Sequence, residues 1–550
     1  MNLNKVFLIN KYQKKTNIKF TQAILKTSLI PINNYIKYIP YNGIVLDAGC
    51  GEGLTSHLLK ITRPDIKIFG LDKNKKIINE AKKIQNKNLF FYNIDIFSNK
   101  FINSSVFSSF DLVICNDFVH HLSYGQHRNL IEILLKKIKF GGYLILKEVN
   151  RHEVLDYKIS KFFDKILYPK DDLSYRSNDE WINLFYRIGY KKKEIRKLHC
   201  NHLWPASKTI YFIKKKKIIS QDEQEKKILE ICKNFRKKGY QNILITGGTG
   251  FIGRNFLKLT HKNKKRNFIV LTRRFFDFKN SNITVFKCEL SELKKNSIIF
   301  DYMDIILHMA SEVKYENGEN LKENNIKGTK VFLESIGNRN KKNIKKIIFT
   351  SSIGAIERSP QDQCLKPLTI KSRAYPSSYY GYSKLIGEKL IKRFTNKNII
   401  LRICWCYGKY MTDDTHLKFI SNSVKKNKIY TYFNYPSKIN IIHISDMIKI
   451  IDFFIENKKN NKTYYVHNGK PEAIGNIIKQ LKILHKKNLF LFNFPAFTKK
   501  IIIYFRKIIP FKFKTLFMST MIADNQLFIA NKNINIKNKF PLGLKDLIND

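Results

Sequence analysis

Tyr380 and Lys384 stand four residues apart in "YYGYSKLIGEKLI" (379–391), so on a helix they share one face. A phenol, with an ordinary pKa of about 10, is a poor proton carrier at neutral pH. A neighbouring ammonium stabilises the phenolate and lowers that value. The pair could then protonate a carbonyl oxygen as hydride arrives, or run the reverse. Upstream, "IIFTSSIGAI" (347–356) ends an apolar run in hydroxyls able to bind the same oxygen. The plain alternative is an ordinary amphipathic helix.

Hydride chemistry needs a cofactor, and "NILITGGTGFIGRN" (242–255) offers a place for one. Gly247, Gly250 and Gly253 form G-x-x-G-x-x-G directly after an apolar run, with Phe251 and Ile252 inside the same turn. A dinucleotide pyrophosphate would rest on the N-terminus of the helix that follows. The next strand ends in "LTRR". An Asp there would bind a free 2′-hydroxyl, whereas the guanidinium forks of Arg273 and Arg274 suit a 2′-phosphate. The expectation is therefore NADPH rather than NADH, against the alternative of two solvated arginines.

The first half carries a different glycine turn. "VLDAGCGEGLTSHLLK" (45–60) sets Asp47, Gly49, Gly51 and Gly53 at a strand-to-helix junction. Asp72, ending the next strand in "GLD", can accept both hydroxyls of a ribose, and Asp95, ending the third in "NID", can face an adenine amino group. His120 and His121, in "FDLVICNDFVHHL" (110–122), sit where a general base could deprotonate an acceptor. The alternative is a hydrogen-bonded histidine packed on the sheet. A metal site from His120, His121 and His127 has weaker support, because no acidic partner stands at a recognisable ligand spacing.

These residues need rigid elements to hold them. Between 44 and 146, strand-like runs ("IVLDAG", "IKIFGLD", "LFFYNID", "FDLVICN", "GYLILKE") alternate with helical stretches such as "KKIINEAKKIQ". A helical "NDEWINLFYRIG" (178–189) and a strand-like "KTIYFI" (208–213) follow. A second alternation begins at "NILITG" and continues through "NFIVLTR", "ITVFKCE", "DIILHMA", "KKIIFTSS" and "NIILRIC". Each alternation predicts a doubly wound α/β sheet. The expected organisation is a first domain over 1–217, a linker over 218–238 within a charged stretch poor in aromatics, and a second domain over 239–550.

At 550 residues and 43% hydrophobic, the chain is long enough for two or three cores. Lys and Arg outnumber Asp and Glu by 101 to 44, a formal charge of +57. The excess is spread over both halves rather than gathered in an arm or patch, which argues against a nucleic-acid partner. The eight Cys form no C-x-x-C pair, so reduced thiols in a cytoplasmic protein are expected. No signal peptide and no spanning helix is predicted. The basic, apolar stretch 499–518 could lie on a membrane surface, although packing in a substrate lobe is the favoured reading.

With these motifs assembled, the first half resembles the class I S-adenosylmethionine-dependent methyltransferases over roughly residues 30–215, through "FDLVICNDFVHHL" and "KFGGYLILKE" (139–148) as well as the glycine turn. The resemblance implies that Gly49, Gly51 and Gly53 border the methionine moiety. Asp72 would hold the ribose, and Asp95 with Ile96 would border the adenine. The Asp/Asn-Pro-Pro-Tyr/Phe pattern of amino-methylating nucleic-acid enzymes is absent after strand four. From about 240 to 550, the chain resembles the extended short-chain dehydrogenases/reductases, the NAD-dependent epimerase/dehydratase family. "ILHMAS" (306–311), "ENNIKGTKVFLES" (323–335), "LRICWCYG" (401–408) and "NIIHISDM" (440–447) add to the match. That resemblance implies Tyr380 as acid/base, Lys384 as its activator and Ser352 as the donor to the substrate oxygen, with Ser351 the fallback if the register slips by one. Asn325 would support an active-site water or the helix geometry. It also implies two Rossmann-like sheets, the second with a small C-terminal substrate lobe, and a homodimer through the second domain. Two positions depart from the pattern. Glu289-Leu290 replaces the usual Asp-Leu after the third strand, and Ile356-Glu357 replaces the usual Tyr-Gly after the serine strand.

The leading expectation is a bifunctional biosynthetic enzyme, methylating a metabolite and reducing a carbonyl with NADPH on the same or a related intermediate. The alternatives are a nucleotide-sugar epimerase or dehydratase in the second half, and RNA methylation or non-catalytic cofactor binding in the first.

Overall fold

A computed structural model describes residues 30–167, 169, 171, 173–200, 208–216, 221–261, 265–274, 276, 280–312, 322–356, 368, 372, 374–376, 378–412, 415–435, 437–493, 534 and 540–548. The stretch 499–518 lies outside the described residues. The chain divides into two compact units, Met1–Ile219 and Ser220–Asp550.

The first unit is built on β1 (Ile44–Ala48), β2 (Lys67–Asp72), β3 (Leu89–Asn93), β4 (Phe110–Asn116), β5 (Ile138–Val149), β6 (Ile195–Cys200) and β7 (Lys208–Lys214). Their order is β3-β2-β1-β4-β5-β7-β6. The first five are parallel, and β7 runs antiparallel to both β5 and β6. Helices cover both faces, so the inner strands bury almost every side chain, as apolar runs without strict alternation require. One apolar cluster gathers Leu46, Val113 and Trp181 on one face, and another gathers Val45, Ile114 and Phe212 on the other. The helix Asn178–Ile188 starts with a reciprocal Ser177–Glu180 capping box and stops at Gly189 (φ 116°), which places Trp181, Leu184 and Phe185 on its buried face. Strand β6, "IRKLHC", has no counterpart among the sequence expectations. It is a half-exposed edge strand whose Arg, Lys and His mask the period-2 signal.

The second sheet comprises β8 (Gln241–Thr246), β9 (Arg266–Thr272), β10 (Ile283–Lys287), β11 (Ile305–His308), β12 (Lys346–Ser352), β13 (Asn398–Ile403) and a further strand Lys462–Val466. The order is β10-β9-β8-β11-β12-β13 followed by that last strand, and every pairing is parallel. In both sheets the order reverses beside the first strand, which opens a crevice at the carboxyl ends. A separate apolar cluster around Tyr407, Leu417, Ile441 and Ile477 forms the core of a small C-terminal lobe.

The segment read as a linker is structured over most of its length. Gln221–Lys237 is a 17-residue helix, and its Ile228 and Cys232 join the core of the second unit with Leu244, Phe286 and Phe300. Only two apolar side chains are fully buried among many charges, so the stretch looks solvated when read alone. None of the seven described cysteines is joined in a disulfide. Among the described residues, no helix is long and apolar enough to cross a membrane.

If Gln221–Lys237 belongs to the second unit, Ile228→Ala should destabilise that unit by about 2–5 kcal/mol through the cavity it leaves. Denaturant unfolding of the full chain should show one transition moving and the other staying in place. Two unmoved transitions would contradict the assignment.

Candidate active sites

In the first unit the chain leaves β1 through Gly49 at φ 72°, where a Cβ would lie 2.6 Å from the Phe118 ring. Only glycine fits there. Gly53, also left-handed, caps the helix Leu54–Thr62. Asp47, Gly49, Gly51, Asp72, Asp95 and Ile96 all line one cavity of about 500 Å³. The Asp72 carboxylate is fixed by the amides of Gly51 (3.1 Å) and Asn74 (2.9 Å), so its orientation does not wait for a ligand. Asp47 is buried, accepts the Ser56 hydroxyl at 2.7 Å and has its pKa pushed up to about 6 by burial. The donor set fits an adenosyl ligand: a carboxylate at the end of β2, a second acid at Asp95 after β3, and a glycine turn between.

The two histidines part company. His121 lines the cavity with Asp171, and its Nδ1 lies 2.9 Å from an Asp171 oxygen. Burial and the neighbouring His120 lower its pKa. His120 lies behind, buried and stacked on Tyr175 at 4.7 Å, with Nδ1 2.7 Å from Glu148 and Nε2 3.2 Å from Asp164. Burial alone would lower its pKa, but Glu148 and Asp164 carry it up to about 9. His127 is structural. It stacks on Trp181 and its ring nitrogens meet the Leu122 carbonyl and the Arg176 guanidinium. His127 therefore stands apart from His120 and His121, and the acid whose oxygen groups with that pair within possible ligand distance is Asp164. Also at the cavity, Asp117 is bracketed by Lys147 (2.6 Å) and Lys208 (2.7 Å), which hold its carboxyl well below the ordinary range although burial opposes them.

In the second unit Gly247 turns at φ 73°, where a Cβ would lie 2.6 Å from the Ala310 amide nitrogen. Gly250 caps the helix Phe251–Thr260, and Gly253 packs against the Gly247 carbonyl. Gly247, Gly250, Arg273, Arg274, Glu289 and Leu290 line a common pocket, as a dinucleotide site requires. Phe251 and Ile252 instead pack against the apolar core. Arg273 donates to Glu289 at 2.7 Å and lies 3.9 Å from Glu312, so its fork is already engaged by carboxylates.

Ser352 ends β12, and its hydroxyl and that of Ser311 hydrogen-bond the Tyr380 phenol. The neighbouring Ser351 points to the other face of the strand and donates to Glu388 at 2.5 Å, which also takes the Arg402 fork. The structure therefore brings Ser352, not Ser351, to the tyrosine. Tyr380 and Lys384 lie on the helix Tyr379–Phe394, with Lys384 Nζ 5.8 Å from the tyrosine ring centre and bonded to the Thr350 carbonyl at 2.7 Å. The expected lowering of the phenol pKa is not what the geometry gives. Burial raises Tyr380 to about 12, and burial lowers Lys384 to about 7 despite Glu388. Desolvation outweighs the partners that oppose it, the Ser352 and Ser311 hydroxyls at Tyr380 and the Glu388 carboxylate at Lys384. Asn325 accepts the Glu312 amide (2.8 Å) and donates to Ser383 (3.1 Å), tying the chain after β11 to this helix. That is the helix-geometry role.

Sequence spacing gave no sign of Asp164 or Asp171, which reach their partners from distant elements. Glu148 and Ser311 close the recognisable stretches "GYLILKE" and "ILHMAS", without a sign of the partners they meet.

Residues 41–195 match the family model described as "Methyltransferase domain", and residues 243–467 match "NAD dependent epimerase/dehydratase family". The dTDP-D-glucose 4,6-dehydratase of Dictyostelium discoideum is 29% identical over 276 residues, 44% of this chain. The chain spans 62% of that relative's length, less than two thirds. A carboxy-S-adenosyl-L-methionine synthase of Campylobacter jejuni is 25% identical over 190 residues, 30% of this chain and 75% of that protein. Among solved structures, a dTDP-glucose 4,6-dehydratase of Bacillus anthracis is 17% identical, covers 56% of this chain and 95% of its own, and has a TM-score of 0.43.

The Lys384 amine titrates at about 7 in the folded protein against an ordinary value of 10.5. Between those values the unfolded chain binds more protons, so this residue makes the second unit gain stability as pH rises through that window. Lys384→Met should remove this part of the slope. Denaturant titrations of both proteins at several pH values read the difference. A wild-type-minus-variant stability that stays level with pH would contradict the shift.

Proposed function

This chain joins a methyltransferase domain to a domain of the NAD-dependent epimerase/dehydratase family, and we propose that both act as enzymes on small molecules of one biosynthetic sequence. The observation that carries this reading is the convergence of Ser352, Tyr380 and Lys384 beside a glycine turn shaped for a pyrophosphate. When bound, the nicotinamide cofactor takes or returns a hydride, and S-adenosylmethionine supplies a methyl group. The chain's own residues do the rest. Ser352 and Ser311 orient the phenol and the substrate oxygen. Tyr380, protonated when at rest, moves a proton at that oxygen. Lys384, when protonated, holds the tyrosine's developing negative charge. Asn325 keeps the helix in place.

For the second site we favour transient oxidation at a hydroxyl-bearing carbon of a sugar-type substrate, with NAD retained and recycled. Arg273 is engaged by Glu289 and faces Glu312, so a 2′-phosphate would have to displace one carboxylate and approach another. Carbonyl reduction with NADPH is the second reading, favoured by the exposed Arg274 on the pocket wall.

In the first site, Asp72 and Asp95 hold the adenosyl part and the acceptor faces the His121–Asp171 wall of the cavity. Alignment of acceptor and methyl supplies most of the catalysis, because the sulfonium is already reactive. One chain raises the local concentration of a shared intermediate without a channel. Described cysteines outside any disulfide agree with a cytoplasmic setting.

Calorimetric titration of the full chain should find NAD bound at least tenfold more tightly than NADP, and Glu289→Gln should narrow that gap by freeing Arg273. Tighter NADP binding in the wild type, abolished by Arg274→Ser, would replace this reading with the reductase.

A further inference from the structure

We propose that His120, His121 and Asp164 bind one divalent first-row transition-metal ion at the wall of the methyl-donor cavity. One ring nitrogen from each histidine and one Asp164 oxygen lie within 4.8 Å of one another, close enough for a shared cation. Two imidazoles and a carboxylate suit a zinc-, cobalt- or manganese-type ion and leave coordination positions open.

Three features separate this cluster from a plain ion-pair network. First, each imidazole has its own carboxylate at Nδ1: Glu148 hydrogen-bonds His120 at 2.7 Å, and an Asp171 oxygen lies 2.9 Å from the nitrogen of His121. That is how metal-ligating histidines are oriented, and it assigns Nε2 as the donor atom of each ring. Second, His120 Nε2 belongs to a side chain only 4% exposed, and the group it meets is the Asp164 carboxylate, with Oδ2 3.2 Å away. This nitrogen and this oxygen, with a ring nitrogen of His121, are close enough together to share one cation. Third, three carboxylates (Glu148, Asp164 and Asp171) face two imidazoles, so a dication can be added without burying surplus positive charge. The same Asp164 oxygen, Oδ2, accepts the Tyr175 hydroxyl, which steadies the carboxylate.

The position gives the site a use. His121 and Asp171 line the same cavity as Asp47, Asp72 and Asp95, so a cation there would present an acceptor oxygen to the methyl donor and lower its pKa. The acceptor class is then a hydroxylated or carboxylated metabolite able to reach a metal's open position. This use rests on the methyl-transfer reading of the first unit. The site itself does not.

The test is a cobalt titration of the EDTA-stripped, full-length chain, followed by the visible absorption of the ion and by calorimetry, with S-adenosylmethionine affinity measured in parallel. One equivalent of Co²⁺ should bind, with visible ligand-field bands. Asp164→Asn should weaken it at least tenfold while leaving S-adenosylmethionine affinity intact. Asp171→Asn, a change at a side chain 39% exposed, should weaken it about tenfold to a hundredfold without altering the EDTA-stripped melting temperature. It therefore serves as the informative variant should Asp164→Asn disturb folding. Stoichiometric cobalt binding that both variants retain at wild-type affinity, or no such binding in the wild type, would overturn the proposal. Cobalt binding without S-adenosylmethionine binding would keep the site and remove its assigned use.

Discussion

Each unit depends on one backbone constraint, a glycine in left-handed conformation where the chain leaves the first strand. Gly49 is hemmed in by Phe118 and Gly247 by the Ala310 amide, and a Cβ at either position would sit 2.6 Å from a heavy atom. With the turn made, the following helix points its N-terminus into the crevice where the strand order reverses. Asp72, Asp95, Arg273 and Glu289 then arrive because their strands lie parallel and in register with the first. The cofactor chemistry of both halves thus follows from sheet topology before any catalytic side chain is considered.

Tyr380 and Lys384 add a second layer, set by desolvation. Tyr380 and Lys384 are buried enough that each is pushed toward its neutral form. The site therefore stores a proton on the phenol until charge develops on the substrate oxygen. His120 sits at the opposite extreme, because two carboxylates outweigh its burial. Burial and partner charge compete at these groups, with burial prevailing at Tyr380 and Lys384 and the carboxylates at His120.

Much of this was legible in the amino-acid sequence, and the part that was not has a common cause. The parallel strands announce themselves as apolar runs, and the glycine turns and the Tyr380–Lys384 spacing are local patterns. Strand β6 and the helix Gln221–Lys237 escaped because charged surface residues dilute a thin buried stripe. The partners of His120 and His121 come from Glu148, Asp164 and Asp171, which only tertiary folding brings together. Arg273 could be read as a phosphate clamp because its pairing with Glu289 spans two strands. The Ser351/Ser352 ambiguity was likewise settled by which face of β12 meets the catalytic helix.

The central claim is that one chain performs two chemical steps on related metabolites. Mass spectrometry of small molecules from cells carrying the wild type, Asp72→Ala or Tyr380→Phe tests it most directly. The account predicts that each variant accumulates a distinct compound absent from the wild type. The Asp72→Ala compound should lack one methyl group, and the Tyr380→Phe compound should be arrested at the oxidation state of the second site's substrate. Unchanged metabolite profiles in either variant would contradict it.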